Sequence, residues 1–277
     1  MAHMSISQDL PLDGRVAIVT GANHGIGAAT ARRLAVLGAD VLVTYLRGTN
    51  PASGDVPPEY TTQRAADAGA VVATAESLGR RANAIEADLS DPATIPTLFD
   101  TAESSLGPVD IVINNASGWI GDTFRVADKD DLDRDMAPIT ADTIDRVMAV
   151  DGRASALMIG EFARRLARRG GTWGRIVGLT SGGASGFPGE VTYGAAKAAQ
   201  VNYTMSAASE LADLGVTANI VHPPITDTGW VNDGVREFVA RSQDHTHVAT
   251  PDDVAVVIAW LCTDEARLVS GTVLQLR

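Results

Sequence analysis

Short apolar runs alternate with longer segments of helical period along the whole chain. Strands that are buried on both faces of a parallel sheet consist of nearly uninterrupted Val, Ile, Leu and Ala. Seven runs fit this description, at residues 16–20, 41–45, 82–86, 109–114, 175–179, 217–221 and 273–276. Between them, apolar residues recur at the spacing of one helix face. This spacing predicts helices at residues 25–37, 62–78, 92–106, 140–169, 195–214 and 251–261.

The alternation of these elements predicts the fold class. A strand–helix succession with no linker is typical of an α/β domain of the Rossmann type, in which helices flank a doubly wound parallel sheet. We expect about seven strands in a single domain over residues 1–277, of which residues 1–10 form a disordered start that carries cloning residues. Two long irregular stretches, 47–59 and 117–138, interrupt the pattern, and such loops in a compact domain are usually functional or mobile.

Charge and composition exclude several classes of protein. The 277 residues carry 34 acidic and 22 basic side chains, which gives a net charge of −12. This balance argues against a nucleic-acid binder, which needs clustered Lys and Arg to neutralise phosphates. No apolar run approaches the roughly 18 residues of a membrane span, and the first residues lack the core of a secretion signal, so we expect a cytoplasmic protein. The single cysteine, Cys262, offers neither an internal disulfide nor a zinc site, and no metal is expected.

A glycine-rich segment joins the first predicted strand to the first predicted helix. It reads T-G-A-N-H-G-I-G from Thr20 to Gly27. Glycine lets the backbone turn tightly and approach a pyrophosphate, and the N-terminus of the following helix offers unpaired N–H groups. The sequence therefore predicts a dinucleotide site, with cofactor contacts from Gly21, Asn23, His24, Gly25, Ile26 and Gly27.

Three further motifs follow in order, and together with the glycine segment they resemble the classical type of the short-chain dehydrogenase/reductase family. An Asp-Leu pair follows the third predicted strand, where the family holds adenine, and an N-N-A segment ends the fourth, with a serine where the family has glycine. A Y-x-x-x-K motif comes later. The resemblance covers residues 15–276 and leans toward the 3-oxoacyl-carrier-protein reductase branch. It implies cofactor contacts from Asp88, Leu89, Asn115, Ala116, Ser117, Tyr193 and Lys197.

Tyr193 and Lys197 are four positions apart, so on a helix they lie on the same face. A phenol with an ordinary pKa of about 10 is a poor acid or base near neutrality unless a cation favours its phenolate. Lys197 supplies that charge and, by the resemblance, also holds the nicotinamide ribose. Tyr193 would then exchange a proton with the substrate oxygen while a hydride moves to or from carbon.

The resemblance also implies a catalytic serine at the end of the fifth predicted strand, where Ser181 stands. An uncharged hydroxyl at this position can hydrogen-bond the substrate carbonyl. The gap between Ser181 and Tyr193 is one position shorter than in many family members, so Thr180 and Ser185 stay open as alternatives.

Asp151 occupies the position at which many family members have an asparagine, in the helix before this strand. The apolar stripe of that helix, which puts Asp151 on the buried face, consists of Ile144, Val147, Met148, Ala154 and Met158. A buried carboxylate must be paired, hydrogen-bonded or protonated. Asp151 therefore either holds a water that relays protons to Lys197, as part of the catalytic group, or pairs within a helix interface.

The segment after the sixth predicted strand resembles the family's P-G-x-x-x-T motif, which contacts the nicotinamide carboxamide. Pro223 and Thr228 match this motif, whereas Pro224 stands where glycine is usual and removes one N–H group. The cofactor contacts predicted here are Pro223, Thr226 and Thr228. We interpret His222, which precedes the two prolines, as a packing residue.

The end of the second predicted strand favours NADP (NADPH) over NAD. An NAD site of this fold usually ends that strand with an acidic residue that binds the ribose hydroxyls, but Tyr45 occupies the position here. Arg47 is available to pair with a 2′-phosphate, and His24 lies where NADP-using relatives often carry a basic residue. The alternative is that Arg47 is a solvated charge at the start of a flexible loop.

The leading hypothesis is an NADP-dependent oxidoreductase that reduces a small ketone or aldehyde to an alcohol. Its predicted catalytic residues are Ser181, Tyr193, Lys197 and Asp151. One alternative is a catalytically silent NADP-binding sensor or scaffold, and another is an NAD-dependent alcohol dehydrogenase.

A carrier-protein enzyme, a third alternative, would need a basic patch near the mouth of the site, for which the end of the long predicted helix offers Arg164, Arg165, Arg168 and Arg169. Family members commonly form dimers or tetramers, so the resemblance implies a homo-oligomer. We expect the substrate pocket to include Trp119, Ile120, Phe187 and Trp230.

Overall fold

The apolar strands lie side by side in one parallel sheet. The computed structural model describes residues 10–48, 57–126, 128–130, 134–182, 186–242 and 247–277. The strands of the sheet are β1 (Val16–Val19), β2 (Asp40–Tyr45), β3 (Ala82–Glu86), β4 (Ile111–Asn114), β7 (Gly174–Leu179), β8 (Val216–His222) and β9 (Val273–Gln275). Their order is β3-β2-β1-β4-β7-β8-β9, and every neighbouring pair is parallel. The predicted seven-stranded sheet is confirmed, and each strand agrees with its prediction to within two residues at either end.

Successive side chains of a strand point to opposite faces of the sheet. Because both faces are apolar here, helices cover both of them. Ala17 and Val19 of β1 belong to one hydrophobic core, and Val16 and Ile18 belong to the other. The helices of the first core are α1 (Gly25–Val36), α3 (Gly69–Ser77) and α9 (Pro251–Leu261). Those of the second are α4 (Thr94–Ser105), α6 (Ser155–Arg168) and α7 (Val191–Glu210). The edge strands β3 and β9 are the least buried of the sheet, since each lacks a neighbour on one side.

The prediction of one helix over residues 62–78 was wrong. The structure has two helices in this region, α2 (Pro58–Ala65) and α3, and the chain is extended at Ala66 between them. The carboxylate of Asp67 accepts the N–H of Gly69 at 2.8 Å, which favours a turn over a continuous helix. A further helix, α8 (Asp233–Arg241), was not predicted, although Asn232 caps its first turn by accepting the N–H of Val235 at 3.0 Å.

The long predicted helix over residues 140–169 contains a π-helical segment. It consists of α5 (Ala141–Val147), the π segment (Met148–Ala154) and α6. Asp151 lies in the π segment and is fully buried, as the apolar stripe predicts, but Ile144 of that stripe is 41% exposed. The extra residue of a π turn rotates one end of a helix relative to the other, so a stripe drawn with a single period fails across it.

The predicted irregular stretch 117–138 contains a small sheet of its own. It pairs β5 (Asp122–Thr123) in parallel with β6 (Ala137–Pro138). Among the described residues, every helix is too short or too polar to span a bilayer.

The motifs meet at the carboxyl edge of the large sheet. β1 and β4 are neighbours, but the chain leaves β1 toward β2 on one side and reaches β4 from β3 before continuing on the other side. Such a reversal opens a crevice beyond the strand ends, where ligands of open α/β sheets bind. The glycine loop follows β1, the N-N-A segment follows β4, Ser181 follows β7 and the two prolines follow β8.

Candidate active site

The glycine loop packs so closely against the segment after β4 that two positions require glycine. At Gly27, a Cβ atom would lie 2.4 Å from the carbonyl oxygen of Gly21 and 2.5 Å from Asn115 Nδ2. At Gly21, where φ is +63°, a Cβ atom would lie 2.8 Å from the Cα of Ala116. Asn115 Nδ2 donates hydrogen bonds to the carbonyl oxygens of Thr20 and Gly21, at 2.8 and 2.9 Å. Asn115 and Ala116 therefore hold the loop in shape.

The start of α1 meets the segment after β8 at this loop. A Cβ atom at Gly25 would lie 3.0 Å from the side chain of Thr228, so the structure brings these two predicted contacts together. Ile26 packs on the first hydrophobic core. The first N–H groups of a helix have no partner within it and carry its positive dipole end. Backbone groups rather than side chains thus line the crevice at Gly21 and Gly25, and such a cradle fits a pyrophosphate.

The segment after β8 is fixed largely by its own hydrogen bonds. The buried hydroxyl of Thr226 donates to the carbonyl oxygen of Pro224 at 2.8 Å, and the Thr226 carbonyl accepts Trp230 Nε1–H at 3.0 Å. The predicted contacts Pro223 and Thr226 therefore lie in the same turn as Thr228. Because the Thr226 side chain is used within this turn, Thr228 is the side chain that reaches the loop.

Asn23 and His24 attach α2 to the glycine loop. Asn23 Nδ2 donates to the carbonyl oxygen of Ala66 at 2.9 Å, and His24 Nδ1 lies 2.9 Å from Asn23 Oδ1. The ring of His24 stands edge-on to that of Tyr60, with centroids 5.9 Å apart. Burial and, to a smaller extent, the positive charge of Arg64 lower the pKa of His24. His24 is therefore neutral at pH 7, and the expectation that it supplies positive charge is corrected.

The ends of β2 and β3 hold an ion pair that sequence analysis missed. Tyr45 lies opposite Glu86 in the ladder between the two strands. Arg47 Nε donates to Glu86 at 2.9 Å, and this hydrogen bond raises the pKa of Arg47 and lowers that of Glu86. Arg47 is 53% exposed at its side chain and Glu86 34%. The guanidinium predicted to pair with a 2′-phosphate thus already has a carboxylate partner.

Arg64 of α2 is a second cation at this end of the crevice, and it too was missed. Its guanidinium lies 5.7 Å from the centre of the Tyr60 ring, and its Nη2 would be 3.2 Å from a Cβ at Gly48. Over the ranges that the structure describes, Arg64 belongs to no ion pair. Helix α2, which carries Arg64, begins in the irregular stretch that follows Arg47. No sequence motif indicated that this helix would pack near the glycine loop.

The Asp-Leu pair follows β3 at the same edge. Leu89 is buried in the second hydrophobic core, and Asp88 is exposed. The carboxylate of Asp88 accepts the N–H of Ser90 at 2.8 Å, which closes a local turn. The pair therefore lies at the carboxyl edge of the sheet, with the aspartate facing solvent.

Tyr193 and Lys197 are both helical, because α7 begins at Val191, four residues earlier than predicted. Lys197 is 2% exposed, and its Nζ lies 3.0 Å from Asp151 Oδ1 and donates to Gln200 Oε1 at 3.0 Å. The same Nζ lies 5.5 Å from the centre of the Tyr193 ring. Asp151 Oδ2 accepts the N–H of Gly118 at 2.7 Å. The structure therefore assembles Tyr193, Lys197 and Asp151 into one cluster.

Charges around the phenol act in opposite directions. Burial raises the pKa of Tyr193, the charge of Lys197 lowers it, and the carboxylates of Asp151 and Glu190 raise it further. A hydrogen bond with the hydroxyl of Ser117 lowers the pKa of Tyr193, but the net shift is upward. Burial lowers the pKa of Lys197, but Asp151 and Tyr193 outweigh it, so the net shift is again upward. Lys197 is accordingly an ammonium at pH 7, and Tyr193 is a phenol.

Phe187 connects the turn after β7 with Tyr193. A Cβ at Gly182 would lie 2.9 Å from the Phe187 ring, and the ring centroids of Phe187 and Tyr193 are 6.1 Å apart. Ser181 directly precedes Gly182 in this turn. Thr180 is 7% exposed, and its N–H is bonded to β8. Ser185 lies outside the described residues.

His222, at the end of β8, forms a hydrogen bond with the same turn. Its Nε2 lies 2.7 Å from the carbonyl oxygen of Gly182, which can only accept, so Nε2 carries the hydrogen. Nδ1 then accepts from Gln275 Nε2 at 2.9 Å. His222 thus links the serine turn to β9 at the edge of the sheet.

The stretch 117–138 is fastened to the first turn of α7. Asp122 is fully buried and accepts the N–H of Thr192 at 2.9 Å as well as its hydroxyl hydrogen. Trp119 Nε1 donates to Glu190 at 2.7 Å, and Arg134 Nη1 donates to the other oxygen of Glu190 at 3.0 Å. The described part of this stretch therefore forms a wall beside the start of α7, next to Tyr193.

Known proteins share the architecture of this chain. A family model described as enoyl-(acyl carrier protein) reductase matches residues 59–276. The crystal structure of a short-chain dehydrogenase from Burkholderia cenocepacia J2315 in complex with NADP superposes with a TM-score of 0.77 at 35% sequence identity, and the match covers 96% of this chain and 97% of that one. The chain belongs to the short-chain dehydrogenase/reductase family.

Relatives in this family extend over nearly the whole chain. The uncharacterized oxidoreductase YjdA of Bacillus subtilis (strain 168) is 32% identical, and the match covers 98% of this chain and 96% of the relative. A chloroplastic NADPH-dependent aldehyde reductase-like protein of Arabidopsis thaliana is 33% identical, again over 98% and 96%. The family predicted from the four motifs is thus confirmed, and membership in the short-chain dehydrogenase/reductase family supports an oxidoreductase that uses a nicotinamide cofactor.

Several side chains of this short-chain dehydrogenase/reductase site were missed because their sequence neighbours carry no motif. Gln200 lies one turn after Lys197 and also donates to the carbonyl oxygen of Asn114 at 3.0 Å, so it ties the lysine to β4. The i, i+3 spacing of Lys197 and Gln200 was the available signal. Glu190 and Arg134 carried no such signal, because their contact joins residues 56 positions apart.

Proposed function

We propose that this short-chain dehydrogenase/reductase is an NADPH-dependent reductase of small ketones or aldehydes, with Tyr193 as its proton donor. The observation that carries the proposal is the buried Lys197 ammonium beside the Tyr193 ring, 5.5 Å from its centre, at the edge of the sheet that also holds the glycine loop. A retained acid–base pair of this kind has no use in a sensor or scaffold that only binds nucleotide.

The protein's part in the reaction is proton transfer and positioning. A nicotinamide cofactor supplies the hydride when it is bound. The Tyr193 hydroxyl gives its proton to the substrate oxygen as negative charge develops there, and Lys197 stabilises the resulting phenolate. Ser181, in the turn behind Phe187, would donate a hydrogen bond to the same oxygen.

The cofactor is held in this proposal by the backbone cradle and by three groups of side chains. The cradle of the glycine loop and the start of α1 take the pyrophosphate. Asp88 and Leu89 lie at the adenine end, and Lys197 binds the nicotinamide ribose. Thr228, with the turn that contains Pro223 and Thr226, lies at the carboxamide end.

The preference for NADPH rests on charge at the end of β2. Tyr45 replaces the acid that would repel a 2′-phosphate, and Arg47 and Arg64 place two guanidinium groups nearby. Arg64 is the stronger candidate for binding the 2′-phosphate, because the guanidinium of Arg47 already pairs with the carboxylate of Glu86. The printed name of the Arabidopsis relative, an NADPH-dependent reductase, agrees with this choice.

The substrate in this proposal is a small molecule and not a carrier-bound chain. Three of the four arginines that would have formed a basic patch are neutralised within the protein. Arg164 and Arg165 pair with Glu161, and Arg169 pairs with Asp110. Aromatic side chains lie near Tyr193 instead, since the Phe187 ring is 6.1 Å from the Tyr193 ring and Trp119 bonds Glu190, three residues before Tyr193.

Consumption of NADPH and NADH with a panel of ketones, aldehydes and quinones tests the proposal. We expect turnover with NADPH that Tyr193→Phe abolishes, because phenylalanine keeps the ring and removes only the transferable proton. Loss of at least about 10²-fold is the range for a general acid. Tight NADPH binding with no turnover for any compound would favour the sensor, and equal use of NADH would favour the NAD-dependent dehydrogenase.

A homo-oligomer also belongs to the proposal. The outer face of the π segment, α6 and α7 contains a groove whose lining combines Ala149, Ala156, Leu157 and Tyr203, the last of which is 42% exposed, with the charged side chains of Asp145, Arg146 and Arg153. Light scattering in solution measures the oligomeric state directly.

A further inference from the structure

The ammonium of Lys197 has a carboxylate partner at the centre of the catalytic cluster. Asp151 is the one carboxylate in an ion pair with Lys197 anywhere in the described residues, at 3.0 Å. Both side chains are almost completely buried, at 0% and 2% exposure. The second oxygen of Asp151 is fixed by the N–H of Gly118, so the carboxylate does not turn away from the lysine.

The charged groups that face Tyr193 come from three elements. Lys197 lies on the same helix, Asp151 on the π segment, and Glu190 immediately before α7. Glu190 has its own cation, Arg134, at 3.0 Å, so the charges of these two largely cancel. The buried unit of Tyr193, Lys197 and Asp151 is therefore neutral when the phenol is protonated and carries one negative charge when it is not.

A neutral side chain in place of Asp151 would reverse this balance. The unit would carry one positive charge with the phenol protonated and would be neutral without the proton. Loss of a proton from a buried cationic unit is easier than from a neutral one, because desolvation penalises net charge. The carboxylate thus opposes the effect that Lys197 has on the phenol.

We propose that Asp151 is a positioning residue that offsets the charge of Lys197 and keeps Tyr193 in its phenol form, so that carbonyl reduction extends to strongly alkaline pH. The inference rests on the proposed reductase. During reduction the O–H bond of Tyr193 breaks, its proton goes to the substrate oxygen, and hydride goes to the carbonyl carbon. Activity is lost once the phenol proton has already left to solvent.

Tyr193 and Lys197 interact closely, so they lose their protons as a coupled unit with one apparent pKa. Removing the negative charge of Asp151 lowers this apparent pKa whichever of the two groups gives up the proton. The expected shift is about one pH unit, the size that a single nearby charge produces in a partly buried site.

The test compares the pH dependence of kcat/KM for NADPH-linked reduction in the wild type, Asp151→Asn and Asp151→Glu. We expect the alkaline fall of the Asp151→Asn profile to begin about one pH unit lower than in the wild type. Asp151→Glu keeps the charge and should keep the wild-type position of the fall, even if its maximal rate drops. A purely structural role predicts lower rates with the fall unmoved in both variants, and that result would overturn the inference.

A second measurement uses the free protein and needs neither turnover nor a folded variant at position 151. The phenolate absorbance of the wild type minus that of Tyr193→Phe reports Tyr193 alone. We expect this difference to appear only above the ordinary phenol pKa of about 10. Phenolate formed near neutral pH would refute the inference on its own. Because the titration reads the charge of the site without substrate, it separates a failure here from a failure of the proposed reductase.

Discussion

Replacing Gly27 with alanine has two opposite effects on stability: it raises helix propensity and it introduces a steric clash. The distances in the structure indicate which effect is larger. Alanine in a helix is favoured over glycine by about 1 kcal/mol. The added Cβ, however, would lie 2.4 Å from the Gly21 carbonyl oxygen and 2.5 Å from Asn115 Nδ2, well inside contact distance. Since the first of these atoms belongs to the backbone, the loop itself must shift, and such overpacking costs about 1–3 kcal/mol. We expect Gly27→Ala to be less stable by up to about 2 kcal/mol after the propensity gain of about 1 kcal/mol is subtracted from the cost of overpacking.

Thermal unfolding and NADPH titration together measure this prediction. Each kcal/mol lost corresponds to a Tm lower by about 2–4 °C in a domain of this size, so the full loss of about 2 kcal/mol would lower Tm by about 4–8 °C. NADPH, followed by its fluorescence, should bind at least about tenfold more weakly, because the shifted loop no longer matches the pyrophosphate. The matched control is Gly160→Ala in α6, where a Cβ would meet only the flexible end of Arg164 at 3.4 Å and stability should not fall. Unchanged stability and unchanged NADPH affinity in Gly27→Ala would show that the cradle is looser than the structure describes.

Two further predictions concern the cofactor end and the core. Arg64→Gln should weaken NADPH about tenfold and leave NADH unchanged, because only NADPH carries the 2′-phosphate; equal losses for both nucleotides in a titration would contradict the assignment. Burial raises the pKa of Cys262 to about 12, so this thiol should resist alkylation at pH 8 in the native protein and react fully in denaturant. Labelling of the native protein at the rate of a free thiol would show that the core around α9 opens.

The fold was predictable because buried parallel strands have a recognisable sequence pattern of continuous apolar residues. β1, β4 and β7 are buried on both faces, so their sequences are almost entirely apolar, and the polar residues Asn114 and Arg175 lie near strand ends. The failures have equally physical causes. The break at Ala66 depends on one hydrogen bond, which the Asp67 carboxylate accepts from the N–H of Gly69. The π turn around Asp151 does not follow from the spacing of apolar residues along a regular helix.

The candidate site was predictable where its chemistry is local in sequence. The glycine loop and the Tyr193–Lys197 pair are each set by spacing within one or two turns. The ion-pair partners of Arg47 and Lys197 could not be predicted in this way. Glu86 and Asp151 are distant in sequence from these cations and reach them through strand register and helix packing. The burial of Asp151 could be predicted from the stripe, but the identity of its partner could not. His24 shows the converse: its position suggested a cation, and burial makes it neutral.

Asp122 ties the wall of the pocket to the first turn of α7, one residue before Tyr193. Because these hydrogen bonds couple this part of the wall to the turn that carries the proton donor, a substrate that displaces Asp122 must break or strain contacts next to Tyr193. Changes in residues 117–138 should accordingly alter turnover as well as binding. On the side of the pocket formed after β8, Trp230 Nε1 donates to the Thr226 carbonyl of its own turn, and this segment has no such hydrogen bond to α7 in the part of the chain that the structure describes. Substrate range can be altered there without moving the proton donor.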